Sequence, residues 1–171
     1  DPASEIDGIK YRSDGRGYLN QGFLQVFILP TEGGTPRQIT FLKNNASSPK
    51  WLAKNKIIFS ANLHEDSDLE PRNSEIYSID IISEKIRPLT SRLGPDYSPV
   101  VSPDKKEIAY LGFDEKYLGY QQNNIYIMSN NGKEIKNISE NINRNITNIN
   151  WTADGKGLYL QYDDKGLTQL D

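Results

Sequence analysis

The sequence predicts an all-β fold, a partial β-propeller of about three to four blades with four antiparallel strands in each. Three observations predict it. A block of about fifty residues recurs, the apolar runs inside it are short and bounded by turn residues, and no segment carries a convincing helical period. The recurrence rests on three landmarks. Trp51, Val101 and Trp151 stand fifty apart; Val26-Phe27 and Ile76-Tyr77 are fifty apart, with Ile125-Tyr126 forty-nine further on. A branched aliphatic followed by a hydroxyl residue then falls at Ile39-Thr40, Leu89-Thr90 and Ile138-Ser139.

The second copy shows the unit most clearly. Ser48-Pro49-Lys50-Trp51 leads into a polar turn from Leu52 to Lys56, then Ile57-Ile58-Phe59-Ser60, a long polar loop, Glu75 to Ile79, and Lys85 to Thr90. Runs rich in β-branched and aromatic residues, bounded by Pro, Asn, Ser or Gly, read as strands. The first copy begins late, with Leu24 to Leu29 and Arg37 to Thr40 as its third and fourth strands. The third copy is complete. The fourth stops near Leu170, where its third strand is expected to start. The expected blades are thus a remnant at 1–40, full units at 41–90 and 91–139, and a partial unit at 140–171. Closed rings hold about four to eight blades, so the expectation is a piece of a larger ring.

Turn chemistry supports the same reading. Asp154-Gly155 supplies the positive φ of a tight hairpin, Lys105 stands where the glycine would be, and Asn55 is expected to take the left-handed conformation in a turn one residue shorter. Trp51 and Trp151 are expected to act as apolar plates between blades.

Composition bounds the function. The chain has 171 residues, 36% hydrophobic and 25% charged, with a net charge of −3. Its lysines are scattered through turns, so a nucleic-acid partner is not expected. No apolar run reaches eighteen residues, so no membrane span is expected. The absence of cysteine excludes disulfides, thiolate catalysis and sulfur-based zinc sites. Asp66, Asp68 and Glu70 alternate, but neither the glycine nor the closing bidentate glutamate of a calcium loop follows. No metal and no cofactor are expected.

Three stretches carry a family resemblance. They are Tyr11 to Tyr18 leading to Thr31 to Thr40; Ile57 to Asn62 with Asp66 to Tyr77 and Arg87 to Thr90; and the repeat opening Ser98-Pro99-Val100-Val101-Ser102-Pro103-Asp104. Together they resemble the N-terminal propeller of the prolyl oligopeptidase family, nearest its acylaminoacyl-peptidase and dipeptidyl-peptidase branch, and the repeat opening is shared with TolB-type propellers. The resemblance implies a serine peptidase whose propeller covers a C-terminal α/β-hydrolase domain, that domain and a peptide substrate being the implied partners. No Gly-x-Ser-x-Gly elbow occurs here, and His64 is the only histidine. The chain is therefore expected to hold no catalytic residue, and His64 to be a loop residue. Relatives of this kind occur both inside and outside cells; a periplasmic or secreted location is the expectation adopted.

The candidate substrate contacts are Glu70 and Arg72, in the long loop 63–73. Its carboxylates suit a peptide amino terminus, and Arg72 suits a carbonyl or carboxylate. A second loop, 112–123, holds three aromatics that are expected to pack beneath the blade. The alternative function is a TolB-like propeller acting as a protein-binding module.

Overall fold

The computed structural model describes residues 9, 11–15, 17–19 and 22–171, which form strands and turns without a helix. A hairpin of β1 (Arg12–Ser13) and β2 (Gly17–Tyr18) precedes a two-stranded sheet of β3 (Phe27–Ile28) and β4 (Arg37–Gln38). Two four-stranded sheets follow. One is β5 (Ser47–Ala53), β6 (Lys56–Ala61), β7 (Glu75–Asp80) and β8 (Ile86–Pro88); the other is β9 (Asp96–Val101), β10 (Glu107–Gly112), β11 (Asn124–Ser129) and β12 (Lys136–Asn137). The last sheet is β13 (Ile146–Trp151), β14 (Leu158–Asp164) and β15 (Leu167–Leu170). Each strand pairs antiparallel with its neighbour in sequence, the meander of a propeller blade.

The landmarks occupy equivalent places. Trp51 pairs with Ile57, Val101 with Ile108 and Trp151 with Leu158, each within the last three residues of its sheet's first strand. Apolar contacts then run from sheet to sheet. Ile57, Phe59 and Ala61 pack against Val26 and Ile39; Ile58 and Ile76 against Ile108, Tyr110 and Met128; Ala109, Leu111 and Ile125 against Ile149, Leu158 and Leu160. Alternate residues of one strand thus serve opposite neighbours, which is why β6 and β10 are buried on both faces. Trp151 bridges two sheets as expected, its indole N–H donating to the Val100 carbonyl at 3.1 Å. Trp51 borders the first sheet along Phe27 and Leu29 but stays 46% exposed.

Two expectations need correction. The fourth unit already contains its third strand, because Lys165 and Gly166, both at positive φ, close a two-residue hairpin where the other units carry long loops. Asn55 does not adopt positive φ; the turn closes as Ala53 opposite Lys56, and a bulge between Trp51 and Ala53 absorbs the missing residue. Lys105 does take the left-handed conformation, at φ 64°, in the place Gly155 fills at 69°. Ser48 and Ser98, each at φ 51° before a proline, form a repeated irregularity in the first strands of the two full sheets.

The antiparallel order sets two rims. Loops 62–74 and 113–123 share one rim with the links between sheets, 91–95 and 140–145. The turns joining first to second and third to fourth strands lie at the other end, while the 165–166 hairpin closes on the loop rim.

Candidate functional site at the loop rim

Loop 62–74 is shaped by its own hydrogen bonds. Leu69 and Glu70 N–H groups donate to the Asp66 carbonyl, Asn73 N–H to that of Glu70, and the Asn62 side-chain amide to the Glu70 carbonyl. The neighbouring loop is stitched to it. Arg72 pairs with Glu115 at 2.8 Å and lies over the Phe113 ring, and the Tyr117 hydroxyl donates to Glu70 at 3.0 Å. Both sequence candidates, Glu70 and Arg72, therefore meet at this rim, and each holds a partner from the next unit. Of the aromatics in the second loop, Phe113 is half-buried beside Arg72, whereas Tyr117 and Tyr120 are exposed on the rim rather than beneath the blade.

The link 91–95 threads between these loops at close quarters. Gly94 donates its N–H to the Asn73 side chain, Glu115 N–H donates to the Leu93 carbonyl, and Phe113 N–H to that of Pro95. A side chain at Gly94 would meet the Phe113 carbonyl, and one at Gly112 the Pro95 carbonyl, so both positions require glycine.

Beneath the loops lies a buried polar cluster that sequence reasoning did not identify. Thr90 receives the Ile76 N–H and donates to Glu75, and Arg92 pairs with buried Asp96 and with Asp114 while sitting 4.0 Å from the Tyr126 ring centroid. The sister repeats build the same clamp. Val26 N–H donates to Thr40, which donates to Gln25; Ile125 N–H donates to Ser139, which donates to Asn124. Two repeats carry an amide at this position, and the middle one carries a carboxyl. Burial pushes the Glu75 carboxyl up to about 7, with Asp96 adding to the rise and Thr90 and Arg92 opposing it. Burial likewise pushes Asp96 up to about 6 against the pull of Arg92. His64 Nε2 stands 3.5 Å from Glu75 Oε1. Those two atoms and Asp96 Oδ2 are buried without a hydrogen-bond partner among the described residues. The one readable signal was the acid at 75 in a register otherwise filled by Gln25 and Asn124.

Among the described residues no three His, Asp or Glu side chains are grouped to hold a metal ion. Among the described residues no helix is long and apolar enough to cross a membrane.

No protein-family model matches the chain. Over 78 residues it is 33% identical to the probable dipeptidyl-peptidase 5 of Aspergillus clavatus, a match covering 45% of this chain and 11% of that protein. Over 126 residues it is 29% identical to the Tol-Pal system protein TolB of Francisella tularensis, covering 72% of this chain and 27% of that one. The chain thus spans a small part of the relatives it matches. Among solved structures, TolB from Acinetobacter baumannii superposes with a TM-score of 0.67 at 22% identity, over 85% of this chain and 34% of that one. The β-propeller domain of the trilobed protease from Pyrococcus furiosus gives 0.60 at 23%, over 84% and 44%. The chain is a β-propeller segment that resembles the propellers of the prolyl oligopeptidase family and of TolB, as its repeats and loop segments indicated.

Proposed function

We propose that this chain is the non-catalytic propeller segment of a serine peptidase of the acylaminoacyl- or dipeptidyl-peptidase kind, gating peptide access to an α/β-hydrolase domain outside it. The observation that carries the reading is the rim. Loops 62–74 and 113–123 come from adjacent sheets, yet Arg72–Glu115 and Tyr117–Glu70 join them into one wall. A wall above a pocket selects by size, since a short or unfolded peptide passes where a folded protein does not. Glu70 and Arg72 act first as ties in that wall. An incoming peptide's amine or carboxylate reaches them by exchanging with Tyr117 or Glu115. Similarity to dipeptidyl-peptidase 5 supports the peptidase assignment.

The test compares substrates of different length on the complete protein. With Arg72→Ala, kcat/KM for long peptides is expected to rise several-fold relative to a dipeptide chromogenic substrate, whose own value stays near wild type. Unchanged length dependence would remove the gating role. A TolB-like protein-binding module is the second reading, favoured by the similarity to TolB over 72% of the chain. A complete protein without peptidase activity, which captures a protein partner in a manner sensitive to Glu70→Ala and Arg72→Ala, would select it.

A further inference from the structure

Glu75 departs from its own repeat. Gln25 and Asn124, both half-buried, complete the hydroxyl clamp with amides, neutral at every pH, whereas Glu75 places an ionisable group at the equivalent position with only 1% of its surface exposed. One carboxyl oxygen is occupied by Thr90. The other faces His64 Nε2 and has no partner at hydrogen-bond geometry. His64 belongs to loop 62–74, so the contact joins the rim wall to the root of β7.

The groups around Glu75 make its charge costly. His64 faces it from the loop, Thr90 and Arg92 from the link after β8, Asp96 from β9, Tyr77 from its own strand and Tyr110 from β10. Arg92 is committed to Asp96 and Asp114, so it offsets Asp96 before it offsets Glu75. A buried second carboxylate beside Asp96 is then poorly compensated unless water reaches it.

We propose that Glu75 is a proton-operated latch for the rim loop: neutral, it lets loop 62–74 close over it with His64 packed against it, and ionised beside Asp96 it favours an opened loop in which water solvates the carboxylate. The two states differ by one proton on Glu75, released to solvent. The direction follows from linkage. The carboxyl titrates higher in the closed state than in the hydrated open one, so closure is fully favoured below about pH 4.5, the ordinary glutamate range, and weakens as pH rises to about 7. Above that it levels off. Within the window the open-to-closed ratio climbs by about tenfold per pH unit. The latch acts whatever ligand the rim receives, so it is independent of the peptidase reading.

Hydrogen exchange on the complete protein tests this at the Leu69, Glu70 and Asn73 amides, which are bonded within the loop. After correction for intrinsic base catalysis, their protection is expected to fall with rising pH between about 4.5 and 7 in the wild type. Glu75→Gln, which copies the side chain of Gln25, should give protection independent of pH across that range. A flat wild-type profile, or a slope retained in Glu75→Gln, would overturn the proposal. Carbon NMR of the wild-type Glu75 carboxyl gives a second readout that needs no variant: titration near neutrality is expected, and titration in the ordinary glutamate range would overturn it equally.

Discussion

Thr40, Thr90 and Ser139 show how much one hydroxyl does when it is repeated. Each takes an N–H at the root of a third strand, from Val26, Ile76 or Ile125, and gives its proton to the side chain just before that residue. The strand has no ladder partner for that N–H at its root, so the hydroxyl satisfies a donor that burial would otherwise orphan. Thr90 is itself 1/25 exposed or less, at 4%. Thr90→Val keeps the volume and removes both hydrogen bonds, leaving the Ile76 N–H buried and unpaired. The expected loss is about 1–3 kcal/mol in urea unfolding, while Thr90→Ser should recover most of it. Equal stability of the Val and Ser variants would show that the hydroxyl contributes nothing beyond shape.

At the scale of elements, the two rim loops are held by a link whose backbone leaves no room for a side chain. Gly94 sits at φ 131° against the Phe113 carbonyl, a conformation and a distance that both exclude a Cβ. Gly94→Ala must push the link away from loop 113–123, breaking the Glu115–Leu93 backbone bond and loosening the Arg72–Glu115 tie. A cost of about 3 kcal/mol is expected from such a clash combined with strain; Gly119→Ala, where nothing lies within reach of a Cβ, serves as the neutral control. Matching thermal midpoints for the two variants would contradict the close approach.

Legibility follows the same division. Strand positions could be read because Trp51, Val101 and Trp151 hold one register, and the apolar period that places them is a local property of the sequence. The early β15 was missed because a repeat-based reading expects a long loop after β14, whereas Lys165-Gly166 closes the hairpin at once. The cluster of His64, Glu75, Thr90, Arg92 and Asp96 was hidden for a different reason. Its members lie on two sheets and two connections, and only burial across the gap between sheets brings them together.

For the whole molecule, the two outermost sheet faces differ from every inner one. Phe27 stands in the repeat where Tyr77 and Tyr126 are buried, yet it is 53% exposed; Tyr159 stands where Ile58 and Ala109 are fully buried and is also 53% exposed. Leu170, equivalent in register to Ile125, is 74% exposed. Apolar residues exposed at inter-sheet positions predict a further sheet of the same kind packed on each of these two faces. A charge at Tyr159 tests whether a further sheet covers this face. In the complete protein, Tyr159→Asp would bury an unpaired carboxylate between sheets and is expected to lower the thermal midpoint by about 5 °C or more. Ile82→Asp, on a hairpin already 73% exposed, should leave it within about 1 °C, the range of ordinary surface substitutions. In a chain limited to these 171 residues the two variants should behave alike. Equal behaviour in the complete protein as well would mean that nothing covers this face and that the last sheet ends the propeller.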